Sequence, residues 1–202
     1  MSALAVGQSE DAFRFDWGIE GLRAIVPGAR VVIVIDVLTF TTAVDLTLTN
    51  GQSMPGSPLC LAGQSNDTTV LAGCLRNASA VAAAARQIAG PDGAIALVST
   101  GDLWESGGAV RHATEDLLGA GAILAALDPS AAVSPPRCSP EAAAARAAYV
   151  GARFRMVEHI ARTASGRELI SRGWVDGVGI AATIDASRIV PMLRDGVFIA
   201  SR

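Results

Sequence analysis

The sequence predicts an α/β fold, a three-layer α/β/α sandwich around a parallel or mixed central sheet, and three observations carry that expectation. Val31-Val32-Ile33-Val34-Ile35 is an unbroken run of β-branched apolar residues that ends in Asp36. Such a run is a strand buried on both faces, as in parallel sheets. Two further strand-like runs, residues 68–74 and 94–99, each lead through a short link into a helix-forming stretch. Strand then helix, repeated, is the pattern of βα units whose helices cover both faces of one sheet.

The composition suits that class. Of 202 residues, 50% are hydrophobic and 17% charged, so the chain, residues 1–202, reads as one globular domain with a substantial core. A net charge of −3 and a pI near 5.3 give no basic footprint for nucleic acid, and an anionic ligand must be met by local cations and helix ends. Cys60, Cys74 and Cys138 are an odd set without paired metal-type spacing, as in a reduced cytoplasmic chain. Residues 1–11 carry acids and no apolar core of signal-peptide length, and no run reaches the roughly twenty apolar residues of a membrane helix. The expectation is therefore a cytoplasmic protein with no nucleic-acid and no membrane partner. Its Ala-rich surface permits a homo-oligomer.

Taken in order, residues 1–12 read as a loose arm. Residues 13–17 read as a short edge strand or lead-in whose aromatics cover one sheet edge. Residues 18–25 make one or two helical turns before Pro27-Gly28 starts the central strand. Leu46-Thr47-Leu48-Thr49 reads as a second strand with Asn50-Gly51 as its exit turn, because β-branched Thr favours strands. Only nine residues, 37–45, would separate the two strands, fewer than a parallel crossover needs. A segment is thus expected to be missing near residues 44–46. Residues 52–66, broken by Pro55, Gly56, Pro58 and Gly63, read as a loop with a turn or two of helix.

The strand at 68–74 turns through 75–77 into an Ala-rich helix at 78–88, stopped by Gly90-Pro91-Asp92-Gly93. The strand at 94–99 leaves through Thr100-Gly101-Asp102. A loop at 104–108 and a helix at 113–127 follow, with Glu115 and Asp116 in the first helical turn. Residues 128–139, with three prolines, read as a mobile connection. Residues 140–164 read as one long helix and 167–171 as a short one. The tail supplies a short helix or turn and two short strands that close the sheet.

In a parallel sheet the loops after successive strands share one edge, where open α/β folds bind ligands. That edge would gather Asp36, Thr39, Thr41, Thr42, Asn50, Arg76, Asn77, Ser79, Asp102, Arg111, Glu115 and Asp116. Carboxylates without a Cys/His cluster suit a hard cation such as Mg²⁺, with Asp36, Asp102 and Glu115 as its candidate ligands. The helix starts at 39–42 and 76–79, together with Arg111, suit a phosphate and a second acid group. Asp36, Glu115 and Asp116 are the candidate catalytic acids and bases. Adjacent carboxylates point different ways on a helix, so one of the last two is expected in the site: Glu115, if Leu118 and Ile123 set the buried face.

Plainer readings stand beside these. Asp36 and Asn77-Ala78-Ser79 also suit ordinary helix caps. Arg111 and Glu115, four apart, also suit a surface ion pair worth only a few tenths of a kcal/mol. Cys74 beside Arg76 could be a nucleophile, but without a Cys-x5-Arg loop a buried, inert thiol is expected. His112 and His159 read as surface residues.

Several blocks also resemble a known family. VVIVIDVLTFTTAV from Val31, GCLRNASAV from Gly73, RHATEDLLGAGAI from Arg111 and DASRIVP from Asp185 stand in this order in the chain, and all four are similar to signature strings of 2-phosphosulfolactate phosphatases. The resemblance implies a Mg²⁺-dependent phosphatase that hydrolyses the phosphate monoester of a small 2-hydroxy acid. It also makes Asn77 and Ser79 expected substrate contacts and matches Thr49-Asn50-Gly51 to a Thr-Asn-Gly signature, adding Asn50 and Gly51. The chain departs from the pattern in having Asp102 where Glu is usual and Thr39 where Arg or Ser is common. In the family a much longer segment also precedes Thr-Asn-Gly. The alternatives are a non-catalytic anion- or metabolite-binding protein of the same fold, and an enzyme acting on another phosphorylated metabolite.

Overall fold

The computed structural model describes residues 7–65, 67–104, 107–129 and 137–201. Its elements are β1 (Phe13–Trp17), α1 (Gly18–Ile25), β2 (Ala29–Ile35), α2 (Phe40–Thr49), β3 (Met54–Pro55), α3 (Pro58–Ala62) and β4 (Thr69–Gly73). A 3₁₀ turn (Leu75–Asn77) leads to α4 (Ala78–Ala89), β5 (Ala94–Ser99), β6 (Asp102–Leu103), β7 (Val110–Arg111) and α5 (Thr114–Leu127). The chain ends in α6 (Pro140–Ala152), a second 3₁₀ turn (Arg153–Arg155), α7 (Met156–Arg162), α8 (Ala164–Ser171), α9 (Val175–Ala181), β8 (Val190–Arg194) and β9 (Val197–Ser201).

The seven-stranded sheet has the order β1-β5-β2-β4-β8-β9-β3. Its first four strands run parallel, and β8, β9 and β3 extend it antiparallel. The sheet is therefore mixed. Because side chains alternate along a strand, Val31, Ile33, Ile35, Leu71, Ile95 and Leu97 enter one core with α4, α5 and α6. Val32, Val34, Val70, Ala72, Ala96 and Val98 enter the other with α1, α2 and α3. Each fully buried Val, Ile or Leu contributes on the order of 2 kcal/mol. The central run is apolar throughout because both of its faces are covered.

α5 is buried almost all round between the sheet and α6. Gly121 allows the close approach, since a Cβ there would lie 2.2 Å from the carbonyl oxygen of Ala145. This packing fixes the start of α5 against the ends of β2 and β5.

Two local expectations are corrected. Residues 46–49 are the end of α2, not a strand: Val44 and Leu48, four apart, bury one helical face, and the burial outweighs the strand preference of Thr. α2 runs through residues 44–46, so residues 37–45 do not separate two strands. The long helix of 140–164 is three pieces, and α8 starts at Ala164 where the Thr163 hydroxyl accepts the Gly166 N–H at 3.0 Å. β3 and the short pair β6–β7 were not anticipated. The expected arm and the Pro-rich connection fall partly on residues 1–6 and 130–136, outside the described residues. No helix among the described residues is long and apolar enough to cross a membrane.

Candidate active site

A cavity of about 280 Å³ lies beyond the carboxyl ends of β2 and β5, lined by Asp36, Thr39, Asp102, Glu115, Asp116 and Ser165 among others. It sits just under the roughly 300–1,000 Å³ of ordinary small-molecule pockets, a size for a small metabolite. Two larger clefts of about 560 Å³, both touching Arg30, lie at the opposite sheet edge. The smaller cavity is the candidate because it gathers carboxylates where open α/β sheets bind ligands.

Asp36 follows the last residue of β2 and is half-buried. Its Oδ1 accepts the N–H of Phe40 at 3.1 Å, so the cap reading holds for one oxygen. Burial pushes its carboxyl above the usual range; Glu115 and Asp102 add repulsion, opposed by hydrogen bonds from Phe40 and Thr100.

Glu115 and Asp116 both line the cavity, contrary to the expectation that one would turn away, because the first turn of α5 is enclosed on all sides. Their situations differ. Asp116 Oδ1 accepts the N–H of Val37 at 2.8 Å, and its Oδ2 accepts the N–H of Gly101 at 3.0 Å. Asp116 thus ties the ends of β2 and β5 together, and burial followed by repulsion from Asp36 pushes its carboxyl well above the usual range. Glu115 is 2% exposed, and its Oε2 has no hydrogen-bond partner among the described residues. A buried acceptor without a donor is costly, and Glu115 is one of the residues that line the cavity.

Asp102 and Arg111 face each other across β6–β7. Arg111 Nη2 donates to Asp102 Oδ2 at 2.7 Å and to Ser165 Oγ at 3.0 Å. The guanidinium holds the Asp102 carboxyl below the usual range. Arg111 stands outside α5, so the anticipated pairing with Glu115 is replaced by one with Asp102, and Asp102 is spoken for as a salt-bridge partner.

Most of the other expected contacts lie elsewhere. The hydroxyls of Thr41 and Thr42 donate to the carbonyls of Asp36 and Val37, and both residues are buried. The N–H groups of Phe40 and Thr41 are taken by Asp36, so the start of α2 is closed to a phosphate. Thr39 alone of the three threonines lines the cavity; it is exposed and makes no side-chain cap bond. Asn50 and Gly51 follow the last turn of α2, a ten-residue helix and so about 15 Å from its start, and do not line the cavity.

Neither do Arg76, Asn77 and Ser79. Arg76 pairs with the buried Asp45 at 2.8 Å. Asn77 is fully buried, its Oδ1 accepting the Cys74 N–H and its Nδ2 donating to the carbonyls of Ala72 and Ile189. Ser79 gives its N–H and hydroxyl to Asp185 at 2.8 and 2.7 Å. Cys74 is buried, and the loss of solvation pushes its thiol up to about 12, so it is no nucleophile. His112 and His159 are exposed, and His112 stacks on Trp17.

Ser165, Glu168 and Leu169 of α8 line the cavity and were not foreseen. They lie some fifty residues beyond Glu115, and no local pattern announces which helix will cover the sheet edge.

The model of the family described as 2-phosphosulpholactate phosphatase matches residues 58–196. The chain belongs to the 2-phosphosulpholactate phosphatase family. Its members are phosphoric monoester hydrolases, and the matched stretch includes Asp102, Arg111, Glu115, Asp116 and Ser165. Among individually curated proteins, none matches the chain.

Proposed function

We infer that the protein is a Mg²⁺-dependent phosphatase acting on the phosphate monoester of a small 2-hydroxy acid. The observation that carries this reading is that Glu115, whose buried Oε2 has no partner among the described residues, lines the same cavity as Asp36 at the end of the central strand. The two carboxylates are the hard, anionic donors that Mg²⁺ prefers. Such an ion commonly takes only one or two protein carboxylates and completes its shell with water and phosphate. No group of three His, Cys, Asp or Glu is arranged for a metal among the described residues, so the expected set of Asp36, Asp102 and Glu115 is not brought together as one site. Bound there, Mg²⁺ would neutralise charge on the phosphoryl oxygens as the ester bond breaks.

The chain's own residues do the rest. Asp116 holds the two strand ends at a fixed separation through Val37 and Gly101. Arg111 does not itself line the cavity; paired with Asp102, it reaches the lining through the Ser165 hydroxyl. The reaction consumes one water: a P–O bond forms to its oxygen, the ester P–O bond breaks, and a proton ends on the released hydroxyl. Departure from the Asp-x-Asp arrangement, with Leu38 two residues after Asp36, favours water over Asp36 as the attacking group. Asp102, in its ion pair, is assigned to positioning and not to the metal.

The test is phosphate release from 2-phospholactate with and without Mg²⁺, for the wild type and Asp36→Asn. Release that needs both the metal and Asp36 supports the reading. A folded protein that releases no phosphate from any 2-hydroxy acid ester sinks it.

A further inference from the structure

We propose that Ser165 of α8 contacts the substrate and, with Arg111, forms a subsite for the acid group beside the phosphate ester. The proposal rests on the cavity assigned above. Ser165 is 8% exposed, and its Oγ accepts from Arg111 Nη2 at 3.0 Å. Its own hydroxyl proton has no acceptor among the hydrogen bonds of the described residues, while the residue lines the cavity. A hydroxyl that accepts from a guanidinium is polarised toward donating its own proton. The group it suits is an anionic oxygen, and charge-assisted bonds of that kind are the strong ones.

Of the residues that line the cavity, Asp36, Asp102, Glu115, Asp116 and Glu168 are acids, and Ser165 is a hydroxyl that accepts from a cation. Asp36, Glu115 and Asp116 gather on the α5 side, whereas Arg111 is the cation that reaches Ser165. Both of Arg111's side-chain hydrogen bonds among the described residues are made by Nη2, to Asp102 and Ser165, so its charge acts on the cavity through the Ser165 hydroxyl. Asp102 sets the arginine's position from the facing strand. Glu168, one helical turn beyond Ser165, is held by Arg172 at 2.5 Å and so does not compete for Arg111.

The experiment separates this subsite from the phosphatase reading by measuring binding without turnover. Calorimetry in the absence of Mg²⁺ gives Kd for 2-phospholactate and for its carboxyl methyl ester, which lacks the acid charge. The wild type should bind the acid about tenfold more tightly than the ester. Ser165→Ala should weaken acid binding about tenfold and leave the ester unchanged, the scale of one hydrogen bond to a charged group. Ser165→Asp, which sets a carboxylate against Arg111, should abolish the preference for the acid. Equal losses for both ligands, or no change in either variant, overturns the proposal. Hydrolysis with Mg²⁺ is scored separately, so a protein that discriminates the acid yet releases no phosphate keeps the subsite and loses the phosphatase reading.

Discussion

The loops after β2 and β4 carry the same kinds of residue at the same sheet edge, and they do different work. After β4, Asn77 is met by Cys74, Ala72 and Ile189, Ser79 by Asp185, and Arg76 by Oδ2 of Asp45, whose Oδ1 has no partner among the described residues. Asp185 even supplies an internal carboxylate to the start of α4, where helix N–H groups favour an anion. After β2, Asp36 caps with one oxygen, and the neighbouring Glu115 keeps one buried oxygen without a donor. Residue type at a strand end does not identify a site. Accounting for partners together with the cavity lining does: Asp45 Oδ1 and Arg146 Nε are also buried without a partner among the described residues, but only Glu115 of the three lines the cavity with Asp36.

The sharpest break of this comparison is Asp36→Asn. Asparagine still offers an oxygen to the Phe40 N–H and removes a carboxyl that burial and repulsion disfavour. Activity should fall by about 10³-fold or more if the metal is lost, with the melting temperature unchanged or raised. Retained activity would remove Asp36 from the chemistry.

Asn77→Ala should do the reverse. It leaves the buried N–H of Cys74 and the carbonyls of Ala72 and Ile189 without their partner, a loss of about 2–4 kcal/mol. The melting temperature should fall by roughly 5–15 °C, with kcat below the transition unchanged. A loss of kcat at full stability would return Asn77 to the site.

A pH series with Mg²⁺ sharpens the contrast further. The native carboxyls of Asp36 and Asp116 titrate above their unfolded values. Each therefore favours folding below the ordinary carboxylate range, and that contribution is lost as pH rises through the raised native value. Asp102 has the opposite sign, its contribution present above the ordinary range and lost as pH falls through its lowered value. The Asp102 effect is small, because its side chain is 49% exposed. Mg²⁺ needs the ionised form of Asp36, so its stabilising effect should grow as pH rises through the raised native value, reaching about 2.7 kcal/mol at a hundredfold excess over Kd. Differential scanning calorimetry reads it. A Mg²⁺ effect that is flat with pH would place the ion elsewhere.

Much of this was legible in the sequence, and what was not has physical causes. The β-branched run of β2 and the Ala-rich α4 are local signals; Asp36 was expected from where β2 ends, and Glu115 from the first turn of the helix whose buried face Leu118 and Ile123 set. The strand reading of residues 46–49 failed because Thr49, like Thr41 and Thr42, returns its hydroxyl to a carbonyl four or five residues back. That bond lets a Thr-rich segment stay helical once Val44 and Leu48 are buried. The roles of Asn77 and Ser79 turned on Asp185 and Ile189, more than a hundred residues away, and only tertiary structure brings these together. Ser165 stayed hidden for the same reason.

The finest test of the comparison is Ser79→Ala. The hydroxyl bond to Asp185 is exposed and charge-assisted, while the backbone N–H bond to the same carboxylate survives the substitution. The loss should be about 0.5–1 kcal/mol, seen as a fall of roughly 1–4 °C in melting temperature, with KM for 2-phospholactate unchanged. An internal carboxylate that fills a helix start can also be displaced by a stronger anion, and KM is the quantity that detects it. If KM rises several-fold while the melting temperature holds, Asp185 gives way to substrate. The loop after β4 would then be a second half of the site, closed until ligand arrives.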